Sequence, residues 1–110
     1  FEKQQIMKKL DLVIFVKQGK SKEFKQTMQE LSKVMQVNSS KIIISELEKS
    51  ICFSIVIQWE SVAEMQQALR AEEFDILSGA INSLCKKTII RIDDKQIGSH
   101  ISNLKSIIQV

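Results

Sequence analysis

Residues 51–77 read ICFSIVIQWESVAEMQQALRAEEFDIL, and most of the architecture can be predicted from them. Large apolar side chains occupy every second position from Ile51 to Trp59, and this alternation predicts a strand with one face on a core. Ser61 and Glu64 follow at the spacing of a capping box, in which the Ser61 hydroxyl accepts from the third helical N–H and Glu64 accepts from the N–H of Ser61. A helix is therefore predicted to begin directly after the strand.

Helical periodicity continues beyond the cap. One helix is predicted over residues 62–70, and the adjacent acids Glu72 and Glu73 indicate either a kink or the start of a separate helix. The apolar residues of the following segment share one helical stripe: Phe74, Leu77, Ile81 and Leu84. Residues 78–80 within it are small, so we expect another element to approach closely there.

The remaining elements complete a ferredoxin-like order. Apolar patterns predict strands over residues 10–17, 41–48 and 88–93, and a stripe that includes Phe24, Val34 and Met35 predicts a helix over residues 22–36. The order β-α-β-β-α-(α)-β is typical of the ferredoxin-like α+β class, with helices on one face of a four-stranded antiparallel sheet. We predict that residues 10–93 form this domain, after a flexible lead over residues 1–9 and before a C-terminal extension over residues 94–110.

The second face of the predicted sheet is apolar as well. In the first strand, Val13 and Phe15 point to the face opposite that of Leu12, Ile14 and Val16. In the second strand, residues 42–44 are all isoleucine. Soluble monomers rarely leave an apolar face of several hundred Å² in water. We therefore expect a second copy to cover it, sheet against sheet, in a two-fold homodimer that forms a dimeric α+β barrel. The extension, with Ile101 to Ile108 spaced as a short amphipathic helix or a strand, is expected to reach across to the partner.

Composition argues against several classes of partner. The chain of 110 residues carries a net charge of only +3, and its charged residues, 26% of the total, mix both signs. The sequence therefore lacks the concentrated positive charge that binds the phosphate backbone of a nucleic acid. An RNA-recognition module shares the element order, but it needs stacked aromatic residues where the third strand offers only Phe53. No apolar run is long enough for a membrane span. The two cysteines predict buried thiols in the cytoplasm, although a removed N-terminal signal stays open because the chain begins at Phe1.

Two stretches resemble the antibiotic biosynthesis monooxygenase-like family of the dimeric α+β barrel superfamily. LDLVIFVKQGKSKEFKQTMQELSKV, residues 10–34, is similar to the opening strand, glycine turn and first helix of that family. QWESVAEMQQALRAEEFDILSGAINSL, residues 58–84, is similar to its later motif, with Trp59, Ser61, Phe74 and Leu77 in matching places. The resemblance implies a pocket between sheet and helices in each subunit. It also implies either haem degradation or oxygenation of quinols and aromatic polyketides without metal or flavin.

From these residues we expect a ligand pocket for a small apolar or aromatic molecule, with no cofactor and no metal. Its predicted lining is Trp59, Phe74, Phe15, Phe53 and Cys85. No catalytic residue is assigned, because residues 68–74 lack the histidines that several family members carry after the tryptophan, and the one histidine is His100 in the extension.

Three functions follow from this sequence. The favoured one is a homodimeric, non-catalytic module that binds a small molecule or only itself. The alternative is a cofactor-independent oxygenase acting on a quinol or an aromatic polyketide-like substrate. The RNA-recognition module is third, for the reason given above.

Overall fold

The computed structural model describes residues 8–35, 41–49 and 51–98. The elements in chain order are β1 (Lys8–Val16), α1 (Ser21–Met35), β2 (Lys41–Glu48), β3 (Cys52–Trp59), α2 (Val62–Leu69), α3 (Glu72–Leu84), β4 (Cys85–Ile92) and β5 (Lys95–Gly98). The strands form one sheet in the order β2-β3-β1-β4-β5, and every neighbouring pair is antiparallel. The ferredoxin-like α+β fold predicted from the sequence is confirmed.

The sheet has one strand more than predicted. Residues 94–98 were assigned to the C-terminal extension, whereas Lys95–Gly98 pairs with β4 and widens the four-stranded sheet to five. The turn between the two strands is Asp93-Asp94, and both residues have positive φ, at 51° and 71°. This is the backbone of a two-residue type I′ hairpin, which usually carries Asn or Gly. Lys8 and Lys9, which were assigned to the flexible lead over residues 1–9, are the first two residues of β1. The rest of the lead, residues 1–7, and the rest of the extension, residues 99–110, lie outside the described residues.

The core lies between the sheet and the three helices. On β1, alternation buries Leu10, Leu12, Ile14 and Val16, and on β3 it buries Phe53, Ile55, Ile57 and Trp59. These residues pack in one cluster with the buried helical residues Phe24, Met28, Leu31, Met65, Leu69, Phe74, Leu77 and Ile81. The period of two in the strands and the period near 3.6 in the helices therefore meet at a single interface.

One detail of the predicted helices was wrong, and a second holds only in part. Val34 is 44% exposed, because ten residues after Phe24 it lies roughly 80° from that residue around the helix axis, at the edge of the stripe. In α3, nothing lies within 4 Å of the position that a Cβ atom on Gly79 would occupy, whereas the neighbouring Ala80 packs against the core cluster.

The cap of α2 is close to the prediction but not identical. Ser61 Oγ accepts a hydrogen bond from the backbone N–H of Glu64 at 3.2 Å, as predicted. The Glu64 carboxylate reaches back one residue further than expected, because it accepts from the N–H of Glu60 at 3.3 Å rather than from that of Ser61. The strand-to-helix turn after Trp59 is thus held by two hydrogen bonds.

The sheet face opposite the helices carries apolar side chains that are only partly buried. Val13, Phe15, Val56 and Ile89 are each partly exposed, and Ile43 is 43% exposed. This is the face that the sequence predicted to be apolar, and we refer to it as the open face. Among the described helices, none has the length and apolarity needed to cross a membrane.

Candidate functional site

The five predicted pocket residues do not lie together. Phe53 and Trp59 share the helix side of β3, but six residues of strand separate them by roughly 20 Å. Cys85 pairs with Val16 at the Phe53 end of the sheet, whereas Phe74 lies in the first turn of α3, at the opposite end of the helix that leads into Cys85. Phe15 lies on the open face, because it alternates with the buried residues of β1.

Trp59 and Phe74 are the predicted pair at the end of β3 that leads into α2. Both side chains are buried, at 0% and 1% exposure, and both belong to the core cluster. The core-filling role of the tryptophan is therefore present in the structure. A pocket at this position is still a prediction.

The indole N–H of Trp59 is the unusual feature of this end of the sheet. Its Nε1 atom is buried and has no hydrogen-bond partner. A buried indole N–H usually finds an acceptor, and leaving such a donor unpaired costs about 1–3 kcal/mol. An unpaired buried donor in a native fold calls for an explanation, such as strain, an ordered water or a bound acceptor.

The groups near Trp59 in the sequence that could transfer a proton are carboxylates, and those of Glu60 and Glu64 belong to exposed residues. Glu72 and Glu73 begin α3, where their charges favour the positive end of the helix dipole, and Glu72 is exposed. Residues 68–74 contain no histidine. In the part of the chain that the structure describes, no group of three or more His, Cys, Asp and Glu residues could hold a metal ion.

The two thiols are poor nucleophiles in this fold. Burial raises the pKa of Cys85 to about 12, although the Lys17 ammonium nearby opposes the shift. Burial also raises the pKa of Cys52, and the Glu48 carboxylate adds to the effect. Because the thiolate is the reactive species, neither residue is suited to covalent chemistry near neutral pH.

A groove that the sequence did not predict lies between α1 and the edge strand β2. It has a volume of about 330 Å³ and an apolar floor made by Phe24, Met28, Ile44 and Phe53. The rings of Phe24 and Phe53 pack with centroids 5.0 Å apart and planes tilted by 47°. Phe53 is the one member of the predicted pocket set that lines this groove.

An ion pair crosses the groove. Lys25 Nζ on α1 lies 3.4 Å from Glu46 Oε2 on β2, and 6.0 Å from the centroid of the Phe53 ring. The stripe of α1 indicates that Phe24 and Met28 face the sheet. Only the pairing register of β2 with β3, which sets Glu46 opposite Phe53, places a carboxylate at this point.

The fold can be compared with proteins that are already known. No protein-family model matches the sequence, and no curated protein matches it. Solved structures do match. A conserved protein from Methanosarcina mazei Go1 superposes with a TM-score of 0.71 at 19% identity, over 83% of this chain and 94% of the other. A candidate antibiotic biosynthesis monooxygenase from Caulobacter crescentus CB15 has a TM-score of 0.72 at 14% identity, over 82% and 90%.

The chain has the antibiotic biosynthesis monooxygenase-like fold. The resemblance predicted from residues 10–34 and 58–84 is thereby confirmed for the fold. SnoaB from Streptomyces nogalater, a cofactor-independent oxygenase, shares this fold with a TM-score of 0.66 at 13% identity, over 78% of this chain and 89% of that one. Identities this low concern the monooxygenase-like fold alone, and they leave the activity of this chain to be argued from its residues.

Proposed function

We propose that this protein is a homodimeric, non-catalytic module of monooxygenase-like fold that binds a small apolar or aromatic molecule beside Trp59. The unpaired Nε1 donor carries the proposal, because a buried N–H needs an acceptor to offset its desolvation. The ligand is therefore an apolar body that bears one acceptor oxygen, such as a carbonyl or a phenol.

The surroundings of Trp59 support an apolar ligand. Residues of the core cluster, among them Phe74 and Leu77, are almost fully buried and offer no competing polar group. Sites of this kind take most of their affinity from apolar contact and their orientation from a small number of polar groups. Because Trp59 is fully buried, the core beside it must open for the ligand to enter.

Binding without catalysis fits the groups that are present. A general acid or base must lie within hydrogen-bond reach of the reacting atom. Residues 68–74, which follow the tryptophan in the resembling family motif, offer alanine, leucine, arginine, glutamate and phenylalanine but no histidine. The two thiols have pKa values raised by burial and do not replace it.

Trp59 is the only tryptophan of the chain, so its fluorescence reports directly on this site. Titration with a quinol, an anthrone and haem should give a saturable change in emission for at least one of them. In Trp59→Phe, calorimetry should show binding weakened by roughly 2- to 12-fold, which corresponds to one hydrogen bond of about 0.5–1.5 kcal/mol. Unchanged emission and no heat with the whole panel would contradict a site at Trp59.

The homodimer part of the proposal is supported by the open face. Val13 on β1 pairs with Ile89 on β4, and Val56 on β3 lies one cross-strand row away, where it pairs with Ile43 on the edge strand. A second copy placed sheet against sheet would remove this surface from water. Light scattering should return about 25 kDa, twice the chain mass of 12.6 kDa. A mass near 13 kDa at all concentrations would contradict it.

A cofactor-independent oxygenase is the second candidate. The likeness to SnoaB and the Trp59 N–H favour it, because a preorganised donor in a site without water can stabilise negative charge on a substrate oxygen. Oxygen consumption with a quinol or an anthrone separates the two candidates. We expect no rise above the rate in buffer, and a rise that Trp59→Phe abolishes would establish the oxygenase instead.

A further inference from the structure

Asp11 on β1 is an acid placed in the middle of an apolar surface. It lies on the open face, because it alternates with the buried residues Leu10 and Leu12. Its Oδ1 atom is buried and has no hydrogen-bond partner. A carboxylate oxygen that is withdrawn from water without a partner is costly, so this atom needs a donor that the isolated subunit does not supply.

Arg91 is the cation in the same row of the sheet. The β1–β4 register sets Arg91 directly opposite Asp11, and the β1–β3 register sets Val56 on the other side. Opposite residues of antiparallel strands have Cβ atoms about 4.5–5.5 Å apart, so the guanidinium could reach Asp11 within one subunit. It does not do so, since Arg91 is exposed and no ion pair joins these two described residues.

The other nearby cation is already engaged. Lys9 lies two residues before Asp11 on the same face of β1, and its Nζ atom is 3.0 Å from Asp94 at the β4–β5 turn. The exposed Arg91 is thus the candidate donor, and its guanidinium is well suited to bind a carboxylate through two parallel hydrogen bonds.

The position of β1 links this pair to the dimer. β1 is the middle strand of the sheet, so a two-fold axis through the centre of the open face passes close to Asp11. The axis would bring two copies of Asp11 together, and two like charges in a buried interface are unfavourable unless cations accompany them. Each subunit carries one such cation in the adjacent strand.

We propose that Arg91 of each subunit reaches across the dimer interface and binds Asp11 of the other, and that this reciprocal pair sets how the two sheets align. The inference rests on the homodimer proposed above and specifies its partner groups. Apolar side chains such as Val13, Val56 and Ile89 can slide over one another, whereas two ion pairs related by symmetry are satisfied in only one alignment. The acid in the apolar surface is then a determinant of specificity.

Charge reversal tests the proposal, with sedimentation velocity as the measurement. Asp11→Arg alone sets arginine against arginine, and Arg91→Asp alone sets acid against acid. Each variant should dimerise at least about 30-fold more weakly than the wild type. An equimolar mixture of the two should form a heterodimer within a few-fold of wild-type affinity. In that heterodimer the introduced arginine meets the introduced aspartate across the interface, and the remaining native Asp11 meets the remaining native Arg91.

The mixture distinguishes pairing between subunits from pairing within one. If the pair formed inside each subunit, the double variant Asp11→Arg/Arg91→Asp would dimerise normally while the mixture of single variants would not, and the proposal would be overturned. The milder Asp11→Asn, which keeps the shape of the side chain, should weaken the dimer by roughly 5- to 10-fold. It tests the same pair if the charge-reversal variants do not fold.

Failure of the pair and failure of the dimer give different results. A wild-type chain that sediments as a monomer at every concentration would remove the homodimer and this inference together. A wild-type dimer whose affinity is unchanged by Asp11→Arg, by Arg91→Asp and by Asp11→Asn would leave the homodimer in place and overturn the inference. Circular dichroism of each variant confirms that the monomer fold is retained.

Discussion

Lys9 and Asp93 hold each other through two hydrogen bonds. The N–H of Asp93 donates to the carbonyl of Lys9 at 2.9 Å, and the N–H of Lys9 donates to Asp93 Oδ1 at 3.0 Å. The Lys8 ammonium adds a contact of 3.0 Å to Oδ2 of the same carboxylate. The β4–β5 turn is therefore fastened to the first residues of β1, although its left-handed backbone is unfavourable for aspartate.

The Asp93 carboxylate should make stability depend on pH. Partial burial raises the pKa of Asp93, but the hydrogen bond from the Lys9 N–H and the contact with Lys8 lower it by more, so its pKa lies below the usual value of about 3.9. Such a group stabilises the fold above its unfolded pKa, and this contribution is lost as the pH falls through the folded pKa. Asp93→Asn should lower the free energy of unfolding by about 0.5–1 kcal/mol at pH 7.

Urea unfolding at several pH values measures this difference. The gap between wild type and Asp93→Asn should stay constant from pH 7 to about 5 and close at lower pH. Asp94→Asn is the matched control, because the carboxylate of Asp94 is 78% exposed and its ion pair with Lys9 is better solvated. A gap for Asp93→Asn that widens in acid would contradict the assignment.

The cap at Ser61 should contribute measurably to the fold. Ser61→Ala removes the acceptor of the Glu64 N–H and should lower the free energy of unfolding by about 1 kcal/mol. Ser61→Asp supplies another acceptor and a charge that suits the helix start, so it should retain most of the stability. Equal losses in the two variants by urea unfolding would show that the hydrogen bond itself contributes little.

Two glycines should respond in opposite ways to alanine. Gly79 lies inside α3 with open space around it, so Gly79→Ala should raise the free energy of unfolding by up to about 1 kcal/mol. Gly19 has a φ of 83° in the turn between β1 and α1, so Gly19→Ala should lower it by about 1–2 kcal/mol. Thermal unfolding of both variants under one condition checks the pair. A loss of stability in Gly79→Ala would mean that something packs on that face of α3.

The thiols should resist modification in the native state. With its pKa near 12, Cys85 is thiolate in only about one molecule in ten thousand at pH 8, and burial limits access to both thiols. A colorimetric disulfide reagent should therefore react with neither cysteine within minutes, and with both in denaturant. The variants Cys52→Ser and Cys85→Ser assign any residual reaction. Rapid modification of the native protein would show that a thiol is accessible.

Periodicity and caps were enough to predict most of the fold from the sequence. The isoleucines at residues 42–44 predicted the strand Lys41–Glu48, and the acids at Glu72 and Glu73 mark the start of α3 as a separate helix. The fifth strand was missed because Asp93-Asp94 reads as the end of a strand. Its hairpin geometry depends on contacts with Lys8 and Lys9, which lie far away in the sequence.

Less of the candidate site than of the fold could be predicted from the sequence. Alternation along β1 and β3 already assigns Phe15 to one face of the sheet and Phe53 and Trp59 to the other. It gives neither the hydrogen-bond state of the indole nor the groove beside α1, because these depend on strand register and on how the helices lie over the sheet. The ion pair between Lys25 and Glu46 likewise depends on strand register and helix placement.

The central place of β1 also bears on biosynthesis. This strand leaves the ribosome first among the described elements, yet its neighbour β4 lies roughly 70 residues downstream. At roughly 5–20 residues per second, β1 waits about 4 to 14 s for that neighbour to be made. The sheet cannot close during translation until nearly the whole domain has emerged, so a nascent chain that stalls before β4 would expose its middle strand to chaperones and proteases.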